Sequence, residues 1–253
     1  MSDLVRSFSV YADDEPVTGW HRARLSGREA VGLLPLPFTL RLWNLGDPDY
    51  FRLCAAGSVS VVCEGSVLAF GRVSDVYRRS VPEGTVCEVV FSPGLALWEA
   101  PVSLGVGPGS AVSETVEQIL EASGTGIPLL SLPDPDPVRA RGQSFFGRAA
   151  ECLCTALSAA GSRAYLTRSG LCVLPSSGLP VTLGLAEQDL IDRPVAAGDL
   201  LVLRTRVIGW PLGKKASVKW NDRYWEGIIV ERSVEADTLE GNWQAELIVE
   251  ICV

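Results

Sequence analysis

The sequence predicts an α+β, mainly β chain in which two antiparallel β-domains, residues 1-104 and 181-253, flank a small α+β insert at residues 105-180. Three observations carry that prediction. The first hundred residues hold short runs rich in Val, Phe, Leu and Tyr, broken by Gly, Pro and Asp. The middle of the chain switches to helical periodicity in two places. The last fifty residues return to strands, with the cleanest apolar and polar alternation in the chain.

Taken in order, PFTLRLWNL, SVSVVCEG, SVLAFGRVSDVYRRS and TVCEVVFS read as strands, and LGDPDY, EGS and VPEG between them read as turns. Glu64-Gly65-Ser66 is short enough to close a hairpin, with Gly65 free to take positive φ. Strands joined this tightly are antiparallel, and they suggest a barrel or a sandwich. The glycine-rich stretch GVGPGS then reads as a linker. Ser110 is a candidate N-cap for AVSETVEQILEAS, where Val112, Val116, Ile119 and Leu120 share one helical face and Gly124 supplies a stop. After the proline-rich IPLLSLPDPDP, a second helix is expected over FFGRAAECLCTALSAAG, with Phe146, Ala150, Leu153, Leu157 and Ala160 on its buried face and Gly161 at its end. YLTRSGLCVLP reads as a hairpin turning at Arg168-Ser169-Gly170.

In the last fifty residues KASVKW and YWEGIIVERS flank the polar turn Asn221-Asp222-Arg223. NWQAELIVEICV puts Trp243, Ala245, Leu247, Val249 and Ile251 on one face against Gln244, Glu246 and Glu250 on the other, with Ile248 as the exception.

Composition excludes several classes of function. A net charge of -8 argues against a phosphate-backbone ligand, which is held by Lys and Arg patches, so no specific nucleic-acid binding is expected. Hydrophobic residues make up 47% of the chain, yet no run approaches the ~18 to 20 unbroken apolar residues of a membrane span. MSDLVRSFSVYADDEP carries an early Asp3 and no apolar run, so it reads as neither a signal nor a transit peptide, and the protein is expected in the cytosol.

No convincing active site, metal site or cofactor site emerges. His21 is the only histidine and no G-x-S-x-G elbow exists, so a surface histidine is the simpler reading. Asp47-Pro48-Asp49 and Asp134-Pro135-Asp136 resemble neither an EF-hand nor a spaced pair of catalytic carboxylates; proline between the acids marks turns. Gly105-Val106-Gly107-Pro108-Gly109 lacks the Gly-Lys-Ser/Thr of a phosphate loop. The seven cysteines, Cys54, Cys63, Cys87, Cys152, Cys154, Cys172 and Cys252, are odd in number and without a C-x-x-C. Cys152 and Cys154, two apart on a helix, point about 200° from one another and cannot share a metal there. All are expected to be reduced, buried thiols packing as small hydrophobes. Tryptophans cluster in the last β-domain, and Trp210, Trp220 and Trp225 are the candidates for an interface between subunits, with a carbohydrate platform as the alternative.

These residues carry a resemblance. Phe38 to Leu45 (FTLRLWNL), the strand Val59 to Cys63 and the segment Phe70 to Val76 (FGRVSDV) resemble the first tube domain of phage baseplate hub proteins. Lys219 to Arg232 (KWNDRYWEGIIVER) and Gly241 to Leu247 (GNWQAEL) are similar to the second. The family is the late control protein D group, related to the hub portion of type VI secretion spikes.

The resemblance implies two β-barrel-like tube domains and a homotrimer whose six tube domains form a pseudo-sixfold ring between a hexameric tail tube and a trimeric spike. It implies a tail tube protein and a spike as partners, with baseplate wedge and tape-measure proteins beyond them, and a place in the virion tail baseplate after assembly in the host cytoplasm. A channel that passes nucleic acid should not adhere to it, and Glu231, Glu235 and Asp237 are the lumen candidates on that ground. A carbohydrate-binding or distal tail adaptor module, and a peptidoglycan-cleaving tail enzyme, are the alternatives.

Overall fold

The structure is a computed structural model, and residues 7–175, 183–206 and 209–251 are described; Cys252 lies outside them. The chain divides into two compact units: the first comprises Met1–Glu29, Leu36–Ser92 and Thr182–Val253, the second Ala30–Pro35 and Pro93–Val181.

In the first unit, β1 (Phe8–Ala12), β2 (Glu15–Val17), β3 (Arg22–Ala30) and β4 (Phe38–Trp43) precede helix α1 (Asp47–Ala55). β5 (Ser58–Cys63), β6 (Ser66–Val81) and β7 (Gly84–Ser92) then form a meander. The strands expected at FTLRLW, SVSVVC and the two that follow are all present. β4 buries alternate residues, with Phe38, Leu40 and Leu42 fully buried and Thr39, Arg41 and Trp43 not, while β5 and β7 also bury consecutive residues such as Val59, Ser60 and Val61 or Val86, Cys87, Glu88 and Val89. The β5–β6 turn sits at Glu64 (φ 50) and Gly65 (φ 79), the paired positive φ that a tight hairpin of this hand needs.

Two expectations change here. β1 to β3 had not been anticipated, although Ala23 and Leu25 alternate with Arg22 and Arg24 as a one-sided strand should. Asp47-Pro48-Asp49 is no turn but the first turn of α1, where proline costs no hydrogen bond and two carboxylates face the positive end of the helix.

The second unit continues with α2 (Leu95–Glu99), β8 (Pro101–Val106), α3 (Val112–Ser123), β9 (Gln143–Arg148), α4 (Ala149–Ser158), β10 (Arg163–Thr167) and β11 (Gly170–Leu174). α3 buries Val112, Val116, Ile119 and Leu120 as its periodicity predicts, and it ends on Gly124 in the left-handed region. Its N-cap is Ala111 rather than Ser110. The first turn is held instead by Asp136, which accepts from the Ser113 N–H at 2.9 Å and from its hydroxyl at 2.5 Å.

The expected linker begins inside a paired strand, since Gly105 and Val106 oppose Ser144 and Gln143. The second helix starts later than its sequence period suggested. Phe145 and Phe146 belong to β9, where alternation buries the first and leaves Phe146 89% exposed. The two-residue turn at Arg168 and Ser169 joins β10 to β11, because Thr167 pairs with Gly170.

The first unit resumes with β12 (Leu183–Leu185), β13 (Val195–Ala197), β14 (Leu200–Thr205), β15 (Lys215–Trp220), β16 (Arg223–Asp237) and β17 (Trp243–Ile251). The strands expected as two separate barrel-like domains lie in one 13-stranded sheet, ordered β13-β14-β17-β16-β3-β4-β7-β6-β5-β1-β2, with β15 on β16 and β12 on β15. Among the described residues it is not closed into a barrel. The two parts of the sheet join along β16. Gly227 and Ile228 pair with β15 on one side and with β17 on the other, and the remainder of the β15 side is left for β3. Gly227 is required at this crowded point, because a Cβ there would lie 2.2 Å from the Glu250 carbonyl oxygen.

The sheet is internally duplicated. β3-β4-β7-β6-β5 and β13-β14-β17-β16-β15 have the same order and the same connections. In each, a long strand pairs with the preceding strand through its first half and with the following strand through the rest, and each long strand carries a bulge against the following strand, between Val73 and Asp75 or between Ile229 and Glu231. Phe38, Leu40 and Leu42 fill the first core, and Leu201, Leu203 and Thr205 stand at matching places in the second.

Candidate assembly surfaces and the ion pairs beneath them

The seam between the two β-motifs is locked by buried charge. Arg232 on β16 meets Glu29 on β3 at 2.7 Å, with 3% and 7% of their side chains exposed, and the guanidinium also donates to the Leu68 carbonyl at 2.6 Å. Burial pushes the Glu29 carboxyl up, and the arginine opposes that push without cancelling it. A second clasp closes the same seam. Arg22 donates to Asp237 at 2.5 and 3.1 Å and to Glu240 at 2.7 Å. Burial raises the Asp237 carboxyl, but the Arg22 guanidinium and the N–H groups of Leu239 and Glu240 outweigh it and hold the group below its ordinary value.

The three lumen candidates therefore occupy different environments. Asp237 is 3% exposed and committed to Arg22 and to the turn that follows β16. Glu231 is half-buried and stands 3.7 Å from Arg28. Glu235 is exposed, accepts from Gln244 at 2.8 Å, and lines a shallow concavity of about 330 Å³ with Ser26, Arg28, Arg204, Ser233 and Glu246. The first motif presents a different surface. Glu88 is buried under Arg41 at 2.6 Å and Arg79 at 3.6 Å, and it accepts from the Tyr77 hydroxyl. Burial raises this carboxyl, and those donors bring it below its ordinary value.

Of the interface candidates, Trp220 and Trp225 come together and Trp210 does not join them. The register of the β15–β16 hairpin places Trp220, Arg223 and Trp225 on the same face as the fully buried Val218. The hairpin tip thus carries its inner face beyond the core, into an open groove of about 720 Å³ walled on the far side by Arg193 to Ala196. Trp210 is 7% exposed, and its indole N–H has no acceptor among the described residues. Sequence alone could not separate a core tryptophan from two rim tryptophans.

His21 is exposed, and its backbone N–H donates to the Trp43 carbonyl. No group of three or more metal-ligating side chains forms among the described residues. The cysteines are only partly as expected. All six described are free, but Cys54 and Cys154 are exposed, Cys172 is intermediate, and only Cys63, Cys87 and Cys152 are buried. Burial pushes the Cys87 thiol up to about 11, which keeps it protonated and inert. No helix among the described residues is long and apolar enough to cross a membrane.

No protein-family model matches the chain, and no curated protein matches it. Solved structures do. The chain is similar to a prophage MuSo2 43 kDa tail protein from Shewanella oneidensis, with a TM-score of 0.71 and 11% identity over 96% of both chains. It is similar to a tail protein from Neisseria meningitidis MC58, with a TM-score of 0.69 and 12% identity over 97% of this chain and 96% of that one. An E. coli protein, described as a component of the type VI secretion system with structural similarity to T4 bacteriophage tail proteins gp27 and gp5, gives a TM-score of 0.69 at 11% identity over 96% of this chain and 77% of that one. At such identities the likeness is one of fold, and the fold is that of these tail proteins along nearly the whole chain.

Proposed function

We propose that this chain is a structural, non-enzymatic component of a phage or phage-like tail, and that within the tail it is the central baseplate hub. The observation that carries the reading is the internal duplication of the sheet, two five-stranded motifs of one topology per chain. A duplicated chain is what an adaptor between sixfold and threefold rings requires. Three copies, each bringing two motifs, present six similar β-units to a hexameric tail tube while keeping true threefold symmetry for a trimeric spike. The fold likeness to tail proteins supports the same reading.

In such a ring the two motifs, β3 to β7 and β13 to β17, are the two tube domains. Three copies carry three times -8, or -24 charges. Glu231 and Glu235 face the bore and repel a passing phosphate backbone over roughly ~8 Å, the Debye length at physiological salt. Asp237 serves the seam instead, through Arg22. Tape-measure and wedge proteins complete the set of partners.

Light scattering of the purified chain, alone and with its tail tube and spike proteins, tests the reading. A species of three 27.1 kDa chains is expected. A monomer under all conditions, or a complex holding another number of copies, would overturn it.

A further inference from the structure

The hairpin of β15 and β16 ends at a groove that the fold itself does not fill. The two-residue turn at Asn221 (φ 50) and Asp222 sets Trp220 directly opposite Arg223. Ladder alternation then places Trp225, two residues on, on the same face as both. Farther from the turn that face is core, because Ala216 and Val218 are fully buried. At the tip it has nothing to pack against, and Trp220 and Trp225 stay half-buried. The groove they border is open, holds about 720 Å³, and is closed on its other side by the chain from Arg193 to Ala196.

Its two walls differ in kind. The hairpin wall is aromatic. The opposite wall is aliphatic, formed by Pro194, Val195 and Ala196, and Val195 is 60% exposed although it belongs to a strand. A group lodged between the walls has an indole on one side and aliphatic carbon on the other. Sugar hydroxyls would give up their hydrogen bonds to water against the aliphatic wall and find no replacements. An apolar side chain loses nothing there and removes apolar surface from water on both walls.

Each wall also brings one guanidinium, Arg193 on the aliphatic side and Arg223 on the hairpin. Both residues are exposed, and among the described residues neither side chain makes an ion pair, a hydrogen bond or a ring contact. Asp222 lines the same groove and pairs with neither. Elsewhere on the sheet Arg22, Arg28, Arg41, Arg79, Arg204 and Arg232 each hold a carboxylate. With 30 acidic residues against 22 basic ones, the chain has carboxylates in ample supply. Two arginines that line one groove without one are placed to take carboxylates from outside the chain.

We propose that this groove is a docking site for a short extended segment of another protein, one that carries an apolar side chain between two acidic residues. In an extended segment neighbouring side chains alternate in direction, so the apolar group points down between the indoles and Val195 while the flanking carboxylates are carried to the rims. There they meet Arg193 and Arg223. Carboxylate to guanidinium is a strong class of hydrogen bond, and tryptophan and arginine are among the residues that supply most of the energy at protein interfaces. A nucleic-acid strand would suit the indoles and the guanidinium groups, but not the aliphatic wall or the net charge of -8. The site is indifferent to how many copies of the chain assemble, so it goes beyond the hub reading and does not rest on it.

A peptide array tests the site. Immobilised hexapeptides of systematically varied acidic and apolar content are probed with the labelled full-length chain, and the retained sequences are titrated in solution against its tryptophan fluorescence. Peptides with Leu, Phe or Trp between Asp or Glu residues are expected to be retained and to shift the emission. Their Asn or Gln counterparts should bind about tenfold or more weakly, the scale of a lost charge-assisted hydrogen bond. Arg193→Gln/Arg223→Gln should lose the acidic preference. Arg193→Glu/Arg223→Glu should select lysine-bearing peptides instead, an exchange that a folding defect could not produce. An oligogalacturonate and a single-stranded oligothymidine are titrated in parallel. An array without acidic enrichment, an enrichment that survives Arg193→Gln/Arg223→Gln, or binding that leaves the tryptophan emission unmoved would overturn the proposal. Binding of the oligogalacturonate or the oligothymidine that is lost in Arg193→Gln/Arg223→Gln, with no acidic peptide retained, would reject a protein segment as the occupant.

Discussion

Replacing Arg232 by methionine is the most informative perturbation of the fold, because it removes one partner of a fully buried ion pair at the seam of the duplicated sheet. Arg232 and Glu29 expose 3% and 7% of their side chains, and the pair also satisfies the Leu68 carbonyl. Breaking such a pair from one side costs about 3 to 5 kcal/mol, most of it the penalty of leaving a carboxylate in a dry site. With a urea slope of roughly 3 kcal/mol/M, the midpoint of unfolding followed by tryptophan fluorescence should fall by about 1 M or more at pH 7.

The pH dependence has a definite sign. The folded-state value of Glu29 is raised above 4.5, so the folded protein binds this proton more tightly than the unfolded chain does. Its contribution is full below the unfolded value and is lost as pH rises through the folded one. Without Arg232 only burial remains, and the defect of Arg232→Met should therefore be large at neutral pH and shrink as pH falls towards 4.5. The double variant Glu29→Met/Arg232→Met should regain most of the loss, since an apolar pair of similar volume is often neutral or better. An Arg232→Met protein as stable as the parent, or a defect unchanged by pH, would refute the reasoning.

Asp237 behaves in the opposite sense: its folded-state value is held below 3.8, so it stabilises above that pH and the benefit disappears as pH falls through the folded value. Asp237→Asn should cost about 1 to 3 kcal/mol at pH 7 and nothing in strong acid, read from denaturation curves across pH. Glu231→Lys/Glu235→Lys should leave folding within about 1 kcal/mol, since both pairs are partly exposed, and should slow DNA ejection from otherwise normal particles; unchanged ejection would place these carboxylates outside the bore. Ending the chain after Gly241 removes β17, the link between β16 and β14, and exposes two strand edges at once, so the truncated protein should aggregate on expression; a soluble, assembling fragment would contradict the sheet order.

The fold was legible wherever a strand buries one face. β4, β15 and most of β17 show it in alternation, β5 and β7 show it as short apolar runs between turns, and α3 shows it in its period and its closing glycine. It was not legible where local chemistry has two solutions. Asp47-Pro48-Asp49 suits a turn as well as a helix N-terminus, and FFGRAAECLCTAL satisfies a helical period even though Gly147, at φ 132, keeps its first residues extended. β3 was hidden by its arginines, whose partners Asp237 and Glu231 lie far along the chain.

The duplication, which the resemblance implied, does not show as a repeat of residues, and the reason is physical. The two motifs share register, bulge and burial, while a core needs only apolar volume, so Leu42 in one matches Thr205 in the other. The candidate surfaces followed the same rule. The type and spacing of Trp220 and Trp225 marked them, but only the overhang of their hairpin distinguishes them from Trp210 in the core.

Electron-microscopic averaging of the assembled protein viewed along its axis tests the central claim most directly. The account predicts a closed ring of three chains with six similar β-lobes around an open bore, neighbouring lobes alternating between the first and second motif. A ring of six whole chains, a twofold particle, or three chains whose second motifs lie outside the ring would contradict it.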